Sequence, residues 1–322
     1  FLPNNEILIT ERSGALRRWI NGVLQESPVS GTPTVVVDGQ GGLLDIAAHP
    51  DFSNNRLIYL SYAAACEAGG KATAVGRGIY QDGALQDFTP IIVSNACSSA
   101  GQHFGGRILF DRDGYLFLTI GDRGDRYRSQ NGKDHVGAIL RLRDDGSIPD
   151  NNPFIGNATM DDAIWSYGHR NPQGIALHPE TGAIWSHEHG PRGGDEINLI
   201  QPGLNYGWPE VTHGREYYGP KIGTPEKEGM EPPLKHWTPS IAPSGMAFYQ
   251  GEIFPQWQGD LFVGALAGQH VARVRFDGVN EVEEEKLLEG VARFRDVRVG
   301  PDGLIYLLTD APNGALLRLE PL

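Results

Sequence analysis

Six segments of this chain share one local grammar, and that repetition constrains the fold more than any other feature. Each has a turn containing Pro, Asp, Asn or Gly, then four or five apolar or β-branched residues, then a polar or small residue. They run from Pro3 to Thr10, Pro50 to Ser61, Asp113 to Thr119, Pro179 to Ser186, Gln258 to Val263 and Pro301 to Thr309. One sixth of 322 residues is about 54, which suits a four-stranded blade with decorated loops. Gly14-Ala-Leu-Arg17 and Gly314-Ala-Leu-Leu-Arg318 read as hairpin return strands after the first and last repeats. Helical periodicity is nearly absent, with Asn280 to Gly290 the one modest candidate. The expectation is an all-β fold: one six-bladed β-propeller of four-stranded antiparallel blades, a single domain over residues 1–322. The longest insertions fall between Gly121 and Ser166 and between Gly203 and Pro239.

Composition narrows the function classes. The 43 glycines and 22 prolines show no Gly-X-Y period, so they read as frequent tight turns. A net charge of −13 argues against nucleic acid and anionic membranes as partners. The acidic run Glu281-Val-Glu-Glu-Glu285 reads as a solvated face. No apolar run approaches the length of a membrane span. The chain opens at Phe1-Leu2-Pro3, without methionine or a basic segment, which reads as a processed or trimmed form. Cys66 and Cys97 suit neither CxxC redox chemistry nor zinc. Two buried thiols or one bridge remain open at this stage, with the bridge expected in an oxidising compartment.

Four polar clusters sit where strands end. His103, beside glycines in Gln102-His-Phe-Gly-Gly-Arg107, suits a general base, with Asp122 orienting its other nitrogen. Arg170, Asn171 and Gln173 place a cation and two amides around a rigid proline, a set suited to the oxygens of a planar ligand. His187 and His189 could form a metal pair. The constrained Gly190-Pro191 turn followed by Asp195 and Glu196 instead offers hard oxygens that favour calcium. On a strand, Arg293 and Arg295 point the same way with Asp296 opposite. Two parallel guanidinium groups repel unless an anion sits between them, so a polycarboxylate or phosphate ligand is the economical inference.

Taken in order, the motifs HFGGR, GHRNPQG, EHGPRGGDEIN, NYGWP, IAPSGMAFY and RFRDVRVGPDG resemble the soluble pyrroloquinoline-quinone (PQQ)-dependent aldose sugar dehydrogenases of the glucose/sorbosone dehydrogenase family. The resemblance covers nearly the whole chain. It implies a six-bladed propeller, PQQ and calcium as cofactors, and a periplasmic or secreted location. By position, His103 looks like the general base and Asp122 its supporting carboxylate. Arg170 and Asn171 would contact the quinone oxygens, with Gln40 and Gln173 nearby. Arg293 and Arg295 would meet the PQQ carboxylates, and Tyr217 would line the cofactor or sugar side. The carbonyls of Gly190 and Pro191 would ligate the cofactor calcium, and a second calcium would lie near Glu196 and Tyr206.

The implied reaction oxidises the anomeric carbon of an aldose to a lactone. Electrons pass to an external acceptor, which could be a quinone, a dye or a redox protein. The oligomer could be a monomer or a dimer. The competing readings are a calcium-dependent propeller lactonase or esterase and a non-catalytic binding propeller. The first would not need the Arg293/Arg295 pair or the 170–173 amides, and the second would leave His103, Asp122 and the calcium turn without a joint role. One departure stands out: relatives often carry a lysine where Ala267 stands in Val263-Gly-Ala-Leu-Ala-Gly-Gln-His270.

Overall fold

Strand-length apolar runs interrupted by tight turns have one low-cost outcome, a series of antiparallel meanders whose buried faces pack together. The computed structural model describes residues 1–321 and shows this outcome six times. The chain divides into two compact units, Phe1–Asn171 and Pro172–Leu322. The expected six-bladed, all-β propeller fold is what the chain has, with three antiparallel sheets in each unit.

In the first unit, one sheet holds Ile7–Thr10, Leu16–Ile20 and Val23–Leu24. A second holds Leu43–Ala48, Leu57–Ala65, Lys71–Gln81 and Ala84–Val93. A third holds Ile108–Phe110, Leu116–Thr119, Ala138–Leu142 and Ile164–Tyr167. Every residue of Leu116–Thr119 and of Ala138–Leu142 is buried, as central strands of a face-packed sheet require. Cys66 and Cys97 are joined in a disulfide, which closes the bridge alternative left open by the sequence.

In the second unit, one sheet holds Pro172–Leu177, Ile184–Glu188, Asp195–Ile200 and Lys235–Trp237. The next holds Pro243–Phe248, Leu261–Ala265, His270–Asp277 and Asn280–Leu287, and the last Phe294–Val299, Ile305–Thr309 and Leu316–Leu319. The repeated segment supplies the second strand in five sheets and the first strand in the remaining one. Both expected return strands form: Thr10 pairs with Leu16, and Leu308 with Leu316.

One expectation is overturned. Asn280–Leu287, the modest helical candidate, is an edge strand. The acidic run it carries is a row of ion pairs as well as a wet face. Arg273 reaches Glu283, Glu285 and Asp260, while Lys235 reaches Glu281 and Glu284. Like charges crowded on one helix face would repel; alternation along an edge strand lets opposite charges answer them, and charge also protects the edge from pairing.

Candidate active site

In the first unit the chemistry gathers just beyond the strand Leu116–Thr119. His103 adopts a left-handed backbone conformation, φ 55°, which costs a non-glycine residue about 1–2 kcal/mol. Its backbone N–H donates to Gln40 Oε1 at 2.7 Å. Gln40 therefore braces the strained residue, a task for which residue type alone gave no signal. The imidazole Nδ1 lies 2.6 Å from Asp122 Oδ1, which leaves Nε2 as the nitrogen that can act on a substrate.

Asp122 is 3% exposed and also accepts from the Gly124 N–H at 2.8 Å. Burial pushes its carboxyl upward, yet the His103 hydrogen bond and the His103 and Arg170 charges outweigh that and hold it below the ordinary value. Its own N–H donates to the Arg170 carbonyl at 2.7 Å, which ties the two clusters together. Asn171 Oδ1 accepts from the Gly105 N–H at 3.2 Å, so this amide supports the loop that carries His103. Sequence reasoning missed Arg123. It is fully buried, stacks 3.5 Å over the Phe104 ring, and donates to the carbonyls of Gln102 and Ala100. Burial pushes its guanidinium down to about 10. The residue underpins residues 100–104 and so the histidine's position.

In the second unit, the turn between Ile184–Glu188 and Asp195–Ile200 carries Gly190 and Pro191. A Cβ at Gly190 would lie 2.2 Å from the Gly193 carbonyl oxygen, so only glycine permits this closure. Asp195 sits beneath the turn and accepts from the N–H groups of Gly190, Ile241 and Ala242 at 2.8, 2.7 and 2.9 Å, and from the Ser240 hydroxyl at 2.7 Å. That corrects its reading as a calcium oxygen: its lone pairs are committed to shaping the turn. The buried Pro191 carbonyl accepts no hydrogen bond among the described residues, which is the state a cation ligand requires.

Next to it, Glu188 and Glu196 face each other in register across two strands, both buried. Burial and the opposing Glu188 push the Glu196 carboxyl well above its ordinary value. Asn198 Nδ2 lies 3.4 Å from each carboxylate, while its buried Oδ1 has no partner. Two buried carboxylates beside an orphaned amide oxygen fit a hard cation. Glu188 was not foreseen. Tyr206 fits less directly, because its hydroxyl donates to the Leu199 carbonyl at 2.6 Å and accepts from the Gln201 N–H at 2.9 Å. It could offer a cation only its backbone carbonyl. Of the histidine pair, His187 is fully buried and His189 Nε2 lies 2.6 Å from the Pro243 carbonyl, and no group of three His, Cys, Asp or Glu suited to a metal occurs among the described residues.

A cavity of about 800 Å³ opens over this turn, lined by His189, Gly190, Pro191, Arg192, Arg215, Tyr217, Ser240, Ala242 and Ala267 among others. That volume accommodates a flat tricyclic cofactor. Tyr217 is among the residues that line it. Arg293 and Arg295 converge, but on a carboxylate of the chain itself. Asp310 Oδ2 is 3.0 Å from Arg293 Nη2 and 3.3 Å from Arg295 Nη2. The expectation of an external anion therefore needs amending, because a carboxylate of the chain itself relieves part of the repulsion between the two guanidinium groups. A strand bulge between Phe294 and Asp296 is what re-aims Arg295.

The glucose/sorbosone dehydrogenase family model matches residues 1–318. The aldose sugar dehydrogenase YliI of Escherichia coli is 46% identical over 328 residues, covering 100% of this chain and 88% of the relative. The crystal structure of the soluble aldose sugar dehydrogenase from Escherichia coli in its apo form has a TM-score of 0.95 at 45% identity, over 100% and 95% of the two chains. A PQQ-bound aldose sugar dehydrogenase from Streptomyces coelicolor has a TM-score of 0.84 at 29% identity, over 99% and 92%. The chain belongs to the glucose/sorbosone dehydrogenase family. The sugar-oxidoreductase class implied by its motifs stands with that membership.

Proposed function

We propose that this protein is a PQQ- and calcium-dependent aldose dehydrogenase that oxidises the anomeric carbon to a lactone. The observation that carries the reading is the 2.6 Å contact between His103 Nδ1 and the buried, ionised Asp122. When bound, PQQ accepts the hydride leaving the anomeric carbon, and calcium supplies Lewis acidity.

The chain's own residues do the rest. His103 Nε2 takes the proton of the C1 hydroxyl, and Asp122 fixes the tautomer and stabilises the imidazolium that forms. Arg170 and Asn171 address the quinone oxygens, with Gln173 and Gln40 beside them; Gln40 also holds His103 in place through its backbone. Gly190 and Pro191 offer carbonyls to the cofactor calcium. Glu196, with Glu188 and Asn198, holds a second calcium, to which Tyr206 contributes through its backbone. Arg293 and Arg295, held together by Asp310, meet the cofactor's carboxylates. Tyr217 lines the sugar side of the cavity.

Electrons leave to an external acceptor, and the setting is periplasmic or secreted. No helix among the described residues is long and apolar enough to cross a membrane. The test is direct. Apo protein is given PQQ and calcium, and bound-quinone absorbance and aldose-dependent dye bleaching are followed. Quinone binding with bleaching on glucose is expected; bound quinone without sugar-dependent bleaching would sink the reading.

A further inference from the structure

Two glycines let residues 211–221 lie directly on the Gly190–Gly194 turn. A Cβ at Gly194 would sit 2.4 Å from the Gly214 nitrogen, and one at Gly214 would sit 2.6 Å from the Gly193 oxygen. The contact is sealed by the Arg192 N–H donating to the Arg215 carbonyl at 3.1 Å. Arg192 and Arg215 are thereby antiparallel bridge partners, and Arg215 is in turn paired with Lys221. Three cations stand in register on adjacent segments, an arrangement that is unfavourable by itself.

All three are exposed, and none makes an ion pair or side-chain hydrogen bond among the described residues. This cationic row belongs to a chain of net charge −13, so it is not a by-product of a basic surface. Arg192 and Arg215 line the 800 Å³ cavity, and the exposed Tyr217 lines it beside them. A planar aromatic face next to two guanidinium forks suits a sugar ring that carries an oxyanion.

We propose that Arg192, Arg215 and Lys221 form an anion-reading rim, and that the substrate class includes aldoses bearing a phosphate or carboxylate. The proposal deepens the aldose dehydrogenase reading and rests on it. Exposed pairs contribute about threefold each in affinity, so two arginines give roughly tenfold together.

The experiment has two arms. Apo protein is titrated calorimetrically with D-glucose 6-phosphate and with D-glucose, at low and at high salt. The holoenzyme is then assayed for kcat/KM on both sugars, alongside Arg215→Gln, Lys221→Gln and the double variant Arg192→Gln/Arg215→Gln. Expected are a roughly tenfold preference for the phosphorylated sugar, its collapse at high salt, and its loss in the double variant. Glucose oxidation without that preference overturns the rim alone. No oxidation of either sugar overturns the dehydrogenase reading, and the rim with it. If the double variant keeps the preference but binds PQQ more weakly by absorbance titration, the arginines read the cofactor's carboxylates and the proposal fails.

Discussion

Asp122 and Asp195 are the same residue type, are 3% and 0% exposed, and respond in opposite directions. Burial raises both. Asp122 ends below its ordinary value because a histidine and an arginine stand beside it, whereas Asp195 stays above although Ser240 and three backbone N–H groups donate to it. Dipoles satisfy a carboxylate's lone pairs without matching the field of a full charge. The first aspartate therefore fixes the orientation of the His103 ring. The second sets the shape of a turn.

The largest effect should come from breaking the first arrangement. His103→Gln is expected to keep PQQ binding and to lose about 10²–10⁴-fold in kcat, since general-base removal costs that much. Steady-state kinetics with quinone occupancy checked by absorbance decide it; near-normal turnover removes His103 from the reaction. Asp122→Asn comes next, with roughly a hundredfold loss in kcat as the imidazole loses its orienting charge. A second readout separates that role from mere packing. Because the folded carboxyl lies below its ordinary value, the wild type gains stability above the ordinary carboxylate range and loses it as pH falls through the depressed folded value. The Tm gap between wild type and Asp122→Asn should be full at neutral pH and close on acidification. A gap that does not depend on pH would mean that the charge is immaterial.

The second arrangement answers to a different probe. Asp195→Asn turns an acceptor oxygen into a donor facing other donors, leaving at least one buried N–H unpaired, which costs about 1–3 kcal/mol. With the Gly190–Pro191 carbonyls misplaced, calcium affinity should fall by roughly 10–100-fold, the usual scale for a supporting residue behind metal ligands. Calorimetric calcium titration checks this, and unchanged affinity would show that the turn holds its shape without Asp195.

The two regions were also legible to different degrees. His103 with Asp122 could be proposed from the sequence because residue type carries the chemistry and strand ends bring such residues together. Asp195 was misassigned because hydrogen-bond commitment belongs to the fold: nothing near residue 195 says that residues 240–242 will donate to it. Arg123 and Asp310 were missed for the same reason, since each acts through partners distant in sequence. The strand Asn280–Leu287 was misread because a run of glutamates carries no periodicity until the opposing cations of Arg273 and Lys235 are known. The repeats survived translation because alternating turns and apolar runs are local, and local signals are what a sequence states directly.

The smallest effect probes the cavity that the second arrangement shapes. Ala267 is exposed and lines the cavity that also holds Gly190 and Pro191. Its N–H donates to the Ile241 carbonyl at 3.0 Å, so the backbone there is fixed by the same 240–242 segment that serves Asp195. The preceding Leu266 carbonyl accepts from Arg293 Nη1 at 3.2 Å, which places the position beside the cationic pair. A lysine here would bring an ammonium toward an anionic cofactor without displacing buried atoms. One charge-assisted hydrogen bond is worth about 1.5–3 kcal/mol, and exposure reduces that to near the lower end, about tenfold in affinity. Ala267→Lys should therefore tighten PQQ by about that factor at fixed calcium and pH, read by absorbance titration. Removing calcium should enlarge the advantage, because the remaining cations then carry more of the binding. If the folded variant binds PQQ no better in either condition, the cations already present satisfy the cofactor and position 267 does not reach it.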